Sequence, residues 1–82
     1  MGLFNKNKYI NYTIEIHGMK CSMCESHIND VIRKNFDVKS VKSNHHKNVT
    51  IIKSLDELDI NKLKNVILNT GYVMKGVVKE YK

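Results

Sequence analysis

The only two cysteines of the chain, Cys21 and Cys24, lie three positions apart in the segment GMKCSMC. This segment separates an alternating stretch typical of a strand from a stretch with helical periodicity. At the first turn of a helix, unpaired N–H groups and the positive end of the helix dipole stabilise a thiolate relative to a thiol. Because the thiolate is the form that binds metals and attacks disulfides, the spacing predicts a site for one of these two reactions.

The length and composition of the chain indicate one small domain. Its 82 residues include 14 Lys and Arg against 8 Asp and Glu, a formal net charge of +6. The lysines are spread along the chain without a basic block, so we expect no nucleic-acid partner. No run resembles a secretory leader or a membrane span, and two neighbouring cysteines cannot join distant segments. We therefore predict a cytoplasmic protein with no membrane association, whose residues 1–8 form a flexible arm.

The first half of the chain has the hydrophobic pattern of a strand followed by a helix. Apolar and polar residues alternate over residues 10–17, which predicts a half-buried strand. A helix is predicted over residues 22–35, because Ser22 and Glu25 have the types and spacing of a capping box. The buried stripe of this helix is predicted to comprise Cys24, Ile28, Val31, Ile32 and Phe36.

The middle of the chain predicts a hairpin. Two β-prone runs, residues 38–43 and 48–53, flank the polar stretch at residues 44–47. In the second run we expect Val49 and Ile51 to point inward together.

A second helix and a last strand complete the pattern. Asp59 is a suitable N-cap and Gly71 a suitable left-handed C-cap for this helix, and a strand is predicted over residues 72–80. The order β-α-β-β-α-β, with right-handed crossovers, predicts an α+β ferredoxin-like sandwich with two helices on a four-stranded antiparallel sheet. The buried stripe of the second helix is predicted to comprise Ile60, Leu63, Val66 and Ile67.

The cysteine segment resembles the heavy-metal-associated domain family, whose loop pattern G-M-x-C-x-x-C it matches in full. The family's later V-x-x-V is matched at residues 38–41, and its G-Y before the last strand at residues 71–72. The chain is thus similar to small bacterial copper chaperones and to the N-terminal modules of metal-transporting P-type ATPases. The resemblance implies one heavy-metal-associated domain over residues 9–82.

The resemblance implies that Cys21 and Cys24 bind Cu(I), and that the protein is no enzyme but delivers the metal to a metal-binding domain of a copper-transporting P-type ATPase. It also allows a metal-bridged homodimer. Donor chemistry agrees, since soft thiolates suit Cu(I), which accepts two ligands, whereas Zn²⁺ usually takes four. Related domains that prefer Zn²⁺ or Cd²⁺ often carry an acidic residue before the first cysteine, where this chain has Lys20.

Three other functions stay open from the sequence. The domain could serve another soft metal such as Zn, Cd or Hg, or act as a copper store or sensor. A thiol–disulfide oxidoreductase is the third, because C-x-x-C at a strand–helix junction is also a redox motif. The chain contains no proline, so it lacks the cis-proline loop that faces thioredoxin-like sites, which disfavours this alternative.

Residues around the cysteines have expected roles of their own. We expect Met19 to pack beneath the loop as a hydrophobic plug. The ring of Tyr72 either shields the metal, as the resemblance implies, or closes one end of the core. We expect Cys21 to be exposed and to accept metal before Cys24, whose thiol pKa should be raised by burial.

The four histidines are expected to be surface or turn residues. His17 falls on the polar side of the first strand, and His27 follows Cys24 by one turn. His45 and His46 occupy the predicted hairpin turn, at the same end of the sandwich as the cysteine loop. We expect them to serve the turn, with a weak auxiliary metal site left open.

Overall fold

Six elements follow one another in the predicted order. The computed structural model describes residues 9–81, so the predicted arm at residues 1–8 lies outside the described residues. The four strands form one antiparallel sheet in the order β2-β3-β1-β4, which confirms the ferredoxin-like α+β fold. The elements are β1 (Ile10–His17), α1 (Ser22–Asn35), β2 (Ser40–Asn44), β3 (Val49–Ser54), α2 (Ile60–Asn69) and β4 (Val73–Tyr81). Within residues 9–81, neither helix combines the length and apolarity needed to cross a bilayer.

The hydrophobic core lies between one face of the sheet and both helices. The predicted inward face of β1 is confirmed, because every second residue from Ile10 to Ile16 is buried. Each helix adds an i, i+4 pair to this core, and all four of these side chains are fully buried. The pairs are Ile28 and Ile32 on α1, and Leu63 and Ile67 on α2.

The predicted inward face of β3 is wrong by one residue. Ile52 is fully buried, whereas Ile51 is 45% exposed. Directly paired residues of neighbouring strands share a face of the sheet, and Ile52 pairs with Tyr12 of β1 while Thr50 pairs with Ile14. The buried face of β1 therefore decides which residues of β3 point inward.

A buried polar contact explains how the core accepts Thr50. The hydroxyl of Thr50 lies 2.8 Å from that of Ser43 on β2, and Ser43 donates a hydrogen bond of 2.7 Å to Asn29 Oδ1 on α1. These bonds satisfy the buried hydroxyl groups, so burial of Thr50 in place of Val49 or Ile51 leaves no orphaned polar group.

The predicted capping box of α1 is also wrong. Cys21 is the N-cap and no side chain caps the helix, while Ser22 is already its first helical residue. The carboxylate of Glu25 is engaged by His45 from the hairpin turn, which removes it from the reciprocal capping bond.

Both caps of α2 are confirmed. The Asp59 carboxylate accepts a hydrogen bond of 3.2 Å from the Lys62 N–H. Gly71 has a φ of +103° and forms a Schellman motif, in which its N–H donates to the Leu68 carbonyl and the Tyr72 N–H to the Ile67 carbonyl. The motif ends the helix abruptly and sets Tyr72 immediately before β4.

Paired substitutions test the corrected register of β3. We expect Ile52→Val to lower the free energy of unfolding by about 0.5–1.5 kcal/mol, because a buried methylene is lost. The control Ile51→Val removes the same group from an exposed side chain and should change it by less than about 0.5 kcal/mol. Urea denaturation measures both values, and a larger loss for Ile51→Val would show that the register is wrong.

Candidate metal centre

Three loops meet at one end of the sheet. In the antiparallel register, His17 at the end of β1 pairs with Val73 at the start of β4, and Glu15 pairs with Val49 at the start of β3. The loop after β1, the β2–β3 turn and the α2–β4 junction therefore lie at the same edge, which confirms the predicted position of the hairpin turn.

The backbone after β1 makes a close approach to the α2–β4 junction at Gly18. Gly18 has a φ of +112°, and a β-carbon at this position would lie 3.1 Å from Cδ1 of Tyr72. Any other residue here would be strained in its backbone and crowded against the ring. The next residue, Met19, is buried in the core, as predicted, and anchors the loop from below.

The two cysteines follow this anchor and are both free thiols. Cys21 is exposed and occupies the N-cap position, and its carbonyl accepts the N–H of Cys24 at 3.0 Å. Cys24 lies in the first turn of α1 and packs half-buried against the core. The predicted contrast in exposure is confirmed: one sulfur is open to solvent and the other is partly covered.

Hydrogen bonds stabilise the thiolate of Cys24. The hydroxyl of Tyr72 contributes most, followed by the backbone N–H of Lys20. Together with weaker bonds from Cys21, they outweigh burial and lower the pKa of Cys24 to about 7. Burial does raise this pKa, as expected, but the hydrogen bonds have the larger effect and the net shift is downward. The same bond, with Cys24 as acceptor, raises the pKa of Tyr72 to about 12, so the phenol remains a donor at neutral pH.

The contacts of the histidines in the described range are with residues other than the two cysteines. His17 pairs with Glu15, and the ring of His27 stands edge-on to that of Tyr72 at 6.0 Å. Both the ring and the backbone N–H of His45 bond to Glu25, which holds the pKa of that carboxyl below its usual value. Over residues 9–81 there is no group of three or more His, Cys, Asp or Glu side chains that could hold a metal ion. Within that range the two cysteines are therefore candidate donors without a third side chain of these types grouped with them.

Two contacts of this region were not predicted from the sequence. The hydrogen bond from Tyr72 to Cys24 joins residues 48 positions apart, and the bond from His45 to Glu25 joins residues 20 positions apart. The G-Y pair in the sequence predicted that Tyr72 shields the metal or closes the core, but it did not predict a hydrogen bond from Tyr72 to sulfur.

The family model of the heavy-metal-associated domain matches residues 13–73, and the chain belongs to this family of metal-binding domains. Solved structures with the same fold include the N-terminal domain of ZntA in its Zn(II) form, with a TM-score of 0.72 and 15% identity over 80% of this chain and 89% of that chain. The CopZ metallochaperone has a TM-score of 0.68 and 22% identity over 79% of this chain and 98% of that chain.

Oxidised MerP from Ralstonia metallidurans CH34 has a TM-score of 0.70 and 22% identity over 82% of this chain and 94% of that chain. At these identities the likeness extends to the fold alone. No curated protein sequence matches the chain significantly.

The contact between Tyr72 and Cys24 predicts a specific change in thiol reactivity. We expect Tyr72→Phe to raise the pKa of Cys24 from about 7 toward the ordinary thiol value of ~8.5, because the main donor to the thiolate is lost. Cys24 should then alkylate more slowly near pH 7, where less of it is thiolate. Iodoacetamide rates at several pH values, resolved by peptide mass mapping, measure this change.

Tyr9→Phe is the matched control, because Tyr9 immediately precedes β1 at the opposite end of the sheet. An unchanged Cys24 profile in Tyr72→Phe, or an equal shift in Tyr9→Phe, would contradict the assigned hydrogen bond.

Proposed function

We propose that this protein is a copper chaperone that binds Cu(I) through Cys21 and Cys24 and transfers it to a metal-binding domain of a copper-transporting P-type ATPase. The observation that carries the proposal is the donor set: two thiol groups at an exposed loop, without a third His, Cys, Asp or Glu grouped with them in the described range. Two soft donors suit Cu(I), which is stable at low coordination number.

Zn²⁺ is the second candidate, favoured by the fold shared with the ZntA domain in its Zn(II) form. Zinc in proteins is usually four-coordinate, so at this site it would need two ligands from water, buffer or another molecule. Lys20 supplies no carboxylate beside Cys21, and its ammonium group offsets the negative charge of a two-thiolate copper site. These features favour Cu(I), and they also allow a metal-bridged homodimer when a second chain supplies ligands.

The site supports transfer better than storage. Cys21 is exposed and the neighbouring Met23 is 79% exposed, so an acceptor can approach the metal directly. A cysteine of the acceptor can bind the copper before a chaperone cysteine leaves, which passes the ion through a three-coordinate intermediate and never releases it to water. The net charge of +6 favours encounter with an acidic partner. We propose a cytoplasmic carrier that catalyses no reaction.

A transfer experiment tests this proposal. The reduced protein should load with one Cu(I) per chain. It is then mixed with a metal-free metal-binding domain from a copper-transporting ATPase, in the presence of a chelator that traps free Cu(I). The copper should move from the protein to that domain. Cys21→Ser and Cys24→Ser should each fail to load, because a serine oxygen is a poor Cu(I) donor. His17→Asn is the matched control and should load and transfer normally, since the ring of His17 bonds to Glu15 and to neither cysteine nor Tyr72.

Copper retained by the protein through the mixing would indicate a store. Copper captured by the chelator instead of the acceptor domain would exclude direct transfer. Undiminished loading of both serine variants would contradict the assignment of the ligands.

A further inference from the structure

The hairpin turn holds one of its histidines in a fixed position against α1. The ring Nδ1 of His45 lies 2.6 Å from Oε2 of Glu25, and its backbone N–H donates to the same oxygen at 2.8 Å. Both side chains are mostly buried, with exposed fractions of 22% and 23%. Two bonds to one half-buried carboxylate restrict both the position and the rotation of the imidazole.

This contact also determines which ring nitrogen carries the proton. An ionised carboxylate only accepts hydrogen bonds, so Nδ1 of His45 is the protonated nitrogen. In the neutral ring, Nε2 then presents a free lone pair. An imidazole whose second nitrogen donates to a carboxylate is the arrangement typical of metal-binding histidines, because the carboxylate orients the ring and raises its basicity.

A second imidazole lies directly beside the first. The ring centroids of His45 and His46 are 4.0 Å apart with an angle of 37° between the planes. Two nitrogens bound to one tetrahedral ion lie about 3.3 Å apart, given metal–nitrogen bonds of ~2.0–2.1 Å. Because the His46 side chain is exposed, its ring is free to rotate and bring a nitrogen to this distance.

The backbone of the turn is fixed independently of the rings. Oδ1 of Asn44 accepts the N–H groups of His46 and Lys47 at 2.9 and 3.1 Å, and Asn48 closes the turn with a φ of +58°. These backbone bonds of the turn do not involve the ring of His46, so its pairing with the ring of His45 is not required to form them.

We propose that His45 and His46 form a second metal site, separate from the cysteines, for a borderline divalent cation such as Cu²⁺ or Zn²⁺, with Glu25 as the residue that orients His45. Imidazole nitrogen suits these ions, whereas the thiolates of the loop suit Cu(I). Two protein donors leave the remaining coordination positions to water.

His17 provides an internal comparison. It also bonds to a carboxylate, that of Glu15, but no second histidine ring contacts it in the part of the chain that the structure describes. If orientation by a carboxylate were sufficient, His17 would bind a divalent ion as well as the hairpin does. The proposal requires the neighbouring imidazole, so it predicts that only the hairpin binds tightly.

The experiment uses the Cys21→Ser, Cys24→Ser double variant, which cannot reduce Cu²⁺ or bind it through sulfur. Titration with Cu²⁺ should give one site per chain, with an electron paramagnetic resonance spectrum that shows nitrogen ligands. Adding His46→Asn removes a ligand and should weaken Cu²⁺ binding at least ~10-fold. Adding Glu25→Gln removes the residue that orients His45 and should weaken binding about 10-fold, the smallest effect usual for loss of such a residue. Adding the control His17→Asn should leave the affinity unchanged.

Because the ring of His46 is exposed, the His46→Asn variant should have the same circular dichroism spectrum as its parent. An unchanged spectrum shows that weaker binding comes from the lost ligand and not from unfolding. The absence of a nitrogen-ligated Cu²⁺ site in the double variant would overturn the proposal, as would equal affinity in the His46→Asn and His17→Asn variants. Because the cysteines are missing from the tested protein, these results do not depend on the Cu(I) assignment.

Discussion

The close approach of the Tyr72 ring to the backbone of Gly18 is the contact on which the cysteine loop depends. A β-carbon at residue 18 would lie 3.1 Å from the ring, so a side chain there would crowd Tyr72 as well as strain the backbone. The hydroxyl of the same ring donates to the sulfur of Cys24. One side chain from the α2–β4 junction therefore contacts the loop at its start and stabilises the thiolate at its end.

The position of Tyr72 depends in turn on the end of α2. Gly71 adopts its positive φ so that the helix stops and the chain turns directly into β4. Val73 then pairs with His17, which places Tyr72 level with the start of the loop. The donor to the thiolate is thus positioned by a helix cap and a strand register, both of which belong to the fold.

The cysteine loop combines a buried, well-packed lower side with a solvent-exposed sulfur atom. Met19 is buried beneath the loop and Cys24 is half-buried, whereas Cys21 is exposed. The buried residues hold the loop in shape without a metal, so little ordering is needed when an ion binds. The exposed cysteine leaves one side of a bound ion accessible to an incoming ligand. A metal carrier needs both properties.

Local sequence patterns predicted the features that depend on neighbours along the chain. Alternation identified β1, and Asp59 and Gly71 identified the ends of α2, because each signal lies within a few residues. The wrong predictions all involved distant partners. The pairing with β1 reversed the face of β3, and the hairpin turn engaged Glu25. The unpredicted hydrogen bond that lowers the pKa of Cys24 likewise comes from a tyrosine 48 positions away.

We propose that Cys21 and Cys24, as two thiolates with no other protein donor, hold Cu(I). X-ray absorption at the copper edge of the Cu(I)-loaded, monomeric protein tests it most directly, because the spectrum reports the type and number of atoms bound to the metal. We expect two sulfur neighbours and an edge typical of two-coordinate Cu(I). A spectrum that requires nitrogen or oxygen in the first shell would contradict it.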